Sequence, residues 1–175
     1  VAYGESSPWP AGADGDGPSL VLMRPASNPD PASPQNWRHS AQLNGNPAES
    51  DVLSYNTFKT ASDFTDDQAD PDTDGLSNFL EYAQGTSLFA PSPAQIAASF
   101  DFPEQFVHYT RRIGSEDVTW ELQTSTDLTV WTTSPASFSY DGVYFNGNGT
   151  EEVRYLVLPP ASTQPRCFIR VRVAR

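Results

Sequence analysis

Proline sets the first limit on how this chain can fold. The chain has 175 residues and 16 prolines, and half of these prolines lie within residues 1–50. Proline has no backbone N–H and disfavours the helical region in the residue before it, which excludes long helices from this segment. Only residues 19–23, between a Gly/Asp-rich turn and Pro25, are typical of a strand. We therefore expect a Pro-rich N-terminal segment with one strand and too little apolar sequence for a core of its own.

Residues 94–175 show the period-two alternation that is typical of antiparallel β-structure. The pattern predicts a mainly β fold, an antiparallel immunoglobulin-like sandwich whose last strand is residues 167–173. Residues 106–113 form a further candidate strand, and residues 140–144, around Asp141-Gly142, are assigned to a loop. The apolar positions of the alternating runs are Val118, Trp120 and Leu122; Val153, Tyr155 and Val157; and Cys167, Ile169, Val171 and Val173.

The charge of the chain limits its partners. It has 22 acidic and 10 basic residues, which gives a net charge of −12. Nucleic acids and anionic membranes attract basic surfaces, so neither is expected as a partner, whereas divalent cations are. No apolar run reaches the roughly 18 residues of a membrane span, so no membrane insertion is expected. The single cysteine, Cys167, excludes a disulfide within the chain and fits a small apolar position in the core.

Residues 70–81, Asp-Pro-Asp-Thr-Asp-Gly-Leu-Ser-Asn-Phe-Leu-Glu, match the twelve-residue calcium-binding loop. Aspartates stand at loop positions 1, 3 and 5, the glycine at position 6 allows the sharp turn, and a glutamate at position 12 supplies two oxygens. Without a cation these carboxylates repel one another, which favours an ion over the alternative of a solvated acidic turn. The cofactor that we expect is calcium, and its predicted ligands are Asp70, Asp72, Asp74, the carbonyl of Leu76, Asn78 and Glu81.

The flanks of this loop favour a static, structural ion. A helix is predicted over residues 76–84 with Gly85 as its stop, but no entering helix of a complete EF-hand is evident before the loop. Asp63, Asp66 and Asp67 either help to bind a second ion or form an acidic lead-in, and their spacing favours the lead-in. Prolines at 91 and 93 then mark a linker, so the chain divides into residues 1–50, 51–93 and 94–175.

Three segments resemble parts of known families. The loop resembles the calcium repeats of dockerins and thrombospondin type 3 segments, and Asp70–Thr86 looks like a linker in large secreted proteins of planctomycete and verrucomicrobial type. Pro8-Trp9-Pro10 and Asn36-Trp37-Arg38 resemble the closing half of a bacterial lamin-tail domain, an immunoglobulin-like and usually non-catalytic family. Ser125-Thr126-Asp127-Leu128 is similar to the β-module that follows such linkers. The resemblances, together with a start at Val1, imply the C-terminal part of a larger secreted protein.

The function expected from these features is that of a non-catalytic, calcium-stabilised structural module, extracellular or at the cell surface. No nucleophile elbow, phosphate loop or zinc helix motif occurs in the sequence, so an enzyme is not expected. Half a sandwich leaves Trp9, Leu20, Leu22 and Trp37 to be covered by residues 94–175 or by a neighbouring copy. The second arrangement repeats into a filament through strand exchange, and self-association is therefore the expected partner interaction.

An alternative is a carbohydrate-binding or adhesion module with polysaccharide as its partner. Its platform would be aromatic and would require exposed rings. Trp120 and Trp131 are more typical of core positions, whereas aromatic residues in a loop more often signal binding. The candidate platform residues are Trp120, Trp131, Tyr140, Tyr144 and Phe145.

Overall fold

A computed structural model describes residues 3–4, 6–13, 15, 17–45, 49–93, 96–101, 104–159, 163 and 165–175. These residues form a mainly β, antiparallel structure, as the sequence predicts. Its two described helices have seven residues each, too few to cross a membrane. In chain order the elements are β1 (Pro18–Leu22), β2 (Trp37–Leu43), α1 (Tyr55–Ala61), α2 (Asn78–Gln84), β3 (Ile96–Asp101), β4 (Glu104–Arg112), β5 (Thr119–Ser125), β6 (Thr132–Thr133), β7 (Phe138–Phe145), β8 (Thr150–Val157) and β9 (Phe168–Ala174).

A four-stranded sheet, in the order β3-β4-β8-β7, packs against a three-stranded sheet in the order β6-β5-β9. Val107 of β4 and Val157 of β8 form the centre of one core cluster, against which Leu122 and Ile169 of the other sheet pack. The predicted alternation is therefore confirmed for these strands. The half-buried Cys167 packs against the same cluster, although β9 begins one residue after it.

Residues 140–144 do not form the predicted loop but lie within β7. Asp141 and Gly142 are turn-forming residues, yet here a shift of register between Tyr140 and Gly142 accommodates them inside the strand. The Tyr140 ring then packs edge-on against Tyr155, with 5.5 Å between the ring centres. Strands β2 and β3 and helix α1 were not predicted either, because their sequences lack a clear apolar period.

The two helices pack against one end of the sandwich. Tyr55 of α1 and Tyr82 of α2 are buried together with Val118, which precedes β5. The Tyr82 hydroxyl lies 2.7 Å from a carboxylate oxygen of Asp117, and the other oxygen of Asp117 accepts a hydrogen bond from the backbone of Tyr55 at 2.8 Å. Asp117 therefore fixes both helices to the turn between β4 and β5.

The N-terminal hairpin of β1 and β2 lies against the sandwich of its own chain, which is one of the two arrangements considered for its cover. The buried side chain of Arg38 contacts Asp51 at 2.7 Å and Glu116 at 3.0 Å. The neighbouring His39 lies 2.8 Å from the Glu151 carboxylate, whose other oxygen contacts Arg111 at 2.6 Å. Trp9 and Trp37, at 6.3 Å between ring centres, cover each other and remain half-buried.

The outer edge of β2 is closed by carboxylates instead of a further strand. The backbone N–H of His39 donates to Glu151 at 3.1 Å, and that of Ala41 donates to Asp51 at 2.8 Å. An unpaired strand edge is a site for pairing with another chain. At these two positions the edge of β2 is already satisfied within the chain.

The inward and outward positions of β9 can be tested with one substitution on each face. Val171→Asp places a charge beside Tyr109 and Val153, and we expect it to lower the free energy of unfolding by at least about 2 kcal/mol. Arg172→Asp introduces the same residue on the exposed face and should cost no more than about 1 kcal/mol. Urea denaturation measures both values, and equal costs would contradict the register.

Glu151 and Glu152 offer a matched test of the contact between hairpin and sandwich. Glu151→Gln leaves the partly buried Arg111 without its counter-charge, and we expect a loss of about 3–5 kcal/mol in the free energy of unfolding. Glu152 contacts His108 at a partly exposed position, so Glu152→Gln should cost under about 1 kcal/mol. Urea denaturation at pH 7 compares the two variants. Similar losses would show that the Glu151 carboxylate does not stabilise the contact between hairpin and sandwich.

Candidate metal centre

The loop from residue 70 to residue 77 turns three aspartates towards one point. One carboxylate oxygen from each of Asp70, Asp72 and Asp74 lies within 4.8 Å of the others. The Asp70 carboxylate accepts hydrogen bonds from the backbone of Asp74 at 3.2 Å and of Gly75 at 2.9 Å, which close the turn. Gly75 has a φ of 92°, a conformation that residues with a Cβ rarely adopt.

Glu81 is not part of this close group of carboxylates. Several oxygens of the predicted ligands are nevertheless buried and have no hydrogen-bond partner among the described residues. They are both carboxylate oxygens of Asp72, both of Glu81 and the side-chain oxygen of Asn78. Asn78 is 2% exposed and Glu81 is 0% exposed. A buried carboxylate without a hydrogen bond or counter-charge is strongly unfavourable. A cation bound here would remove this cost.

Helix α2 supplies two of these residues from one face. It begins at Asn78, two residues later than predicted, because Ser77 is extended and caps the helix by accepting from the Leu80 backbone at 3.4 Å. Asn78 and Glu81 are three residues apart and so lie on the same side of the helix. The side-chain nitrogen of Asn78 donates to the Asp66 carbonyl at 2.8 Å, which fixes the amide. The predicted end at Gly85 is confirmed by its left-handed φ of 77°.

Leu76 lies outside α2, in the last part of the loop, with its side chain buried. Its backbone N–H donates to Asp74 at 2.8 Å. The first helical hydrogen bond of α2 runs from Glu81 to the Ser77 carbonyl, at 2.9 Å. The Leu76 carbonyl is therefore not required by the helix, which is compatible with its predicted role as a ligand.

The electrostatics of the site favour a positive ion. Burial raises the pKa of Glu81 to about 7, and the charges of Asp72, Asp74 and Asp70 add to this effect. Burial, followed by the charge of Asp74, also raises the pKa of Asp72. All the candidate ligands are hard oxygens, which suit Ca²⁺ or Mg²⁺, and a flexible loop with this many carboxylates suits the larger Ca²⁺.

The upstream acids do not join the cluster. Asp67 lies 2.5 Å from Lys59, Asp66 accepts from the backbone of Gln68 at 2.9 Å, and Asp63 is exposed. Helix α1 is a finding that the sequence did not predict, but eight residues separate its end at Ala61 from Asp70. The loop therefore does not follow directly from an entering helix.

Ser92 contacts the site from the linker and was missed by the sequence analysis. Its backbone N–H donates to the second carboxylate oxygen of Asp74 at 2.7 Å. A backbone donor carries no signal in its residue type, and 18 positions separate the two residues. Asp74 therefore joins the loop to the segment that leads into β3.

The five predicted platform residues do not form one aromatic surface. Trp120 stacks on Tyr109, and Tyr140 packs against Tyr155. The other three rings have separate neighbours: Trp131 lies beneath Arg170, Tyr144 beneath Arg154, and Phe145 beside His39.

Comparison with models of protein families, with curated proteins and with solved structures gave no match. The candidate metal centre therefore depends on its geometry and on its loop spacing. The resemblances to dockerins and lamin-tail domains stay at the level of the sequence.

Proposed function

We propose that this chain is a non-catalytic structural module that binds one calcium ion in the loop of residues 70–81. The observation that carries the proposal is the set of buried, unpartnered oxygens on Asp72, Asn78 and Glu81 beside two further aspartates. The proposed ligands are Asp70, Asp72, Asp74, the carbonyl of Leu76, Asn78 and Glu81. In this proposal calcium supplies positive charge to these oxygens and has a structural role, not a catalytic one.

The proposed ion stabilises the junction between the loop and the sandwich. Asn78 and Glu81 of α2 contribute ligands, whereas Phe79 and Tyr82 of the same helix pack against Tyr55 in the aromatic cluster. An ion that binds only the folded loop raises stability in proportion to the logarithm of its concentration over its dissociation constant. Calcium would therefore hold α2 against the end of the sandwich.

The absence of a catalytic role is supported by what the ionisable groups already contact. Both histidines of the chain lie beside glutamates, His39 at 2.8 Å from Glu151 and His108 at 2.9 Å from Glu152. The densest acids form the proposed calcium site. We place the module outside the cell, where structural calcium sites bind at roughly 10⁻⁴–10⁻³ M.

The variant Asp72→Asn tests the calcium site. It removes one charged ligand, so we expect a lower melting temperature than wild type in millimolar calcium. In excess chelator the variant should melt at the wild-type temperature or above, because it also removes repulsion among the carboxylates. Differential scanning calorimetry measures the melting temperatures of wild type and Asp72→Asn in calcium and in chelator.

The control is Asp63→Asn, an exposed acid upstream of the loop in a left-handed conformation that asparagine also accepts. It should leave the calcium dependence unchanged. If chelator does not lower the melting temperature of wild type, the chain has no structural calcium site. Magnesium in place of calcium should restore less stability, because its smaller shell fits this loop poorly.

We further propose that the module self-associates into a fibre or surface layer. Exchange of β1 alone would break its pairing with β2, so the unit exchanged is the whole hairpin, which would occupy the equivalent position on a neighbouring copy. Arg38 and His39 would then contact the neighbour's Asp51 and Glu151 residues. The half-buried Trp9 and Trp37 would keep their packing in such an assembly.

Sedimentation velocity over a wide concentration range, with calcium present, tests this assembly. We expect the sedimentation coefficient to grow with concentration for the full chain. Deletion of residues 1–24 removes β1, and the sedimentation coefficient of the shortened chain should no longer rise with concentration. A full chain that remains monomeric at millimolar concentration would contradict self-association. That result would not bear on the proposed calcium site.

A further inference from the structure

A cleft opens where the loop between β1 and β2 meets the mouth of the sandwich. It consists of two hollows, of about 240 and 320 Å³, that share the lining residues Gln35, Tyr109, Trp120 and Tyr155. This size falls at the lower end of ligand-binding clefts, which span roughly 300–1,000 Å³. No residue of the calcium loop lines it. We propose that the cleft binds a segment of a neutral carbohydrate chain.

One wall of the cleft is a row of three aromatic rings from three different strands. The rings of Tyr109 and Trp120 stack with 4.5 Å between their centres and 7° between their planes. Tyr155 also stacks on Tyr109, with 6.5 Å between the ring centres and 20° between the planes. Tyr109 is 4% exposed and holds the row rigid, whereas Trp120 and Tyr155 are only partly buried. Such a wall offers apolar contact to the C–H groups of a sugar ring at little cost in side-chain entropy.

The cleft is also lined by a polar side chain that has no hydrogen-bond partner within the described residues, the exposed amide of Gln35. The indole of Trp120, which carries one N–H donor, lines both hollows. An amide both donates and accepts, and sugar hydroxyls do the same. Thr133 and Glu121 line the larger hollow, and both accept hydrogen bonds from the Gln123 amide. This mixture of an aromatic wall and amide, hydroxyl and indole groups suits a ligand that is apolar on its faces and hydroxylated at its edges.

Charge favours a neutral ligand. Arg24 and Arg111 line one hollow, and Arg111 is paired with Glu151. Glu121, which contacts Arg172 at 3.3 Å, lines the other hollow. The lining therefore holds charges of both signs, and the net charge of −12 on the chain disfavours a polyanion. A proline-rich peptide also packs on aromatic ridges, but proline has no N–H to donate to the carbonyl of Gln35.

The test uses the full chain, labelled with ¹⁵N, in saturating calcium. Hexasaccharides of cellulose, xylan, mannan and chitin are added in turn while amide and indole signals are recorded. We expect at least one of them to shift the indole signal of Trp120, assigned by its loss in Trp120→Phe, and the side-chain signal of Gln35. Gln35→Ala should weaken that binding by roughly tenfold, the effect of about one lost hydrogen bond.

The matched control is Gln42→Ala, which changes an exposed glutamine of β2 outside the cleft lining. It should leave the affinity unchanged. Equal affinities of the two variants would place the binding elsewhere and overturn the proposal. So would a panel in which no hexasaccharide shifts the Trp120 signal. Tighter binding at Trp120 by hexagalacturonate or by a hexaproline peptide would overturn the assignment of a neutral carbohydrate.

Discussion

The packing of the N-terminal hairpin on the sandwich depends on the contacts that the buried Glu151 carboxylate makes. Burial alone would raise its pKa, but the charge of Arg111 and the hydrogen bonds from His39 outweigh burial and lower it. Arg111 lies directly opposite Glu151 on the neighbouring strand, and its own pKa is raised because the carboxylate outweighs its burial. The Nε2 atom of His39 accepts from the backbone of Gly12 at 3.3 Å, so the proton stands on Nδ1 and is donated to Glu151. Sandwich and hairpin thus complete each other's hydrogen bonds.

The contrast with Glu81 explains why we propose an ion at one acidic site and not at the other. Both glutamates are 0% exposed. At Glu81 burial raises the pKa to about 7, and the charges of three aspartates add to this effect. At Glu151 burial also acts to raise the pKa, but the charge of Arg111 and the hydrogen bonds from His39 lower it. Burial acts in the same direction on both carboxylates, and the neighbouring charges act in opposite directions. Under our proposal calcium takes the part at Glu81 that Arg111 takes at Glu151.

The sequence could predict those features that local spacing determines. Alternation places Val153, Tyr155 and Val157 on one face, and the spacing of the loop brings three aspartates within 4.8 Å of one another. The contacts between distant segments were not predictable, since 112 positions separate His39 from Glu151 and no residue pattern links them. The bulge in β7 was misread for a related reason. Asp-Gly is typical of a turn, but packing of Tyr140 against Tyr155 outweighs that local preference.

The two polar junctions of the chain involve different residues. The first joins the N-terminal hairpin to the sandwich through Arg38 and His39, and each of these side chains contacts a carboxylate within the chain. The second joins the loop and linker to α2 and leaves the buried oxygens of Asp72, Asn78 and Glu81 without a hydrogen-bond partner among the described residues. The cleft beside Trp120 is shaped by the first junction, because residues between β1 and β2 line it. The shape of the cleft therefore follows from contacts made within the chain, whereas under our proposal calcium stabilises the packing of α2 at the end of the sandwich near Val118.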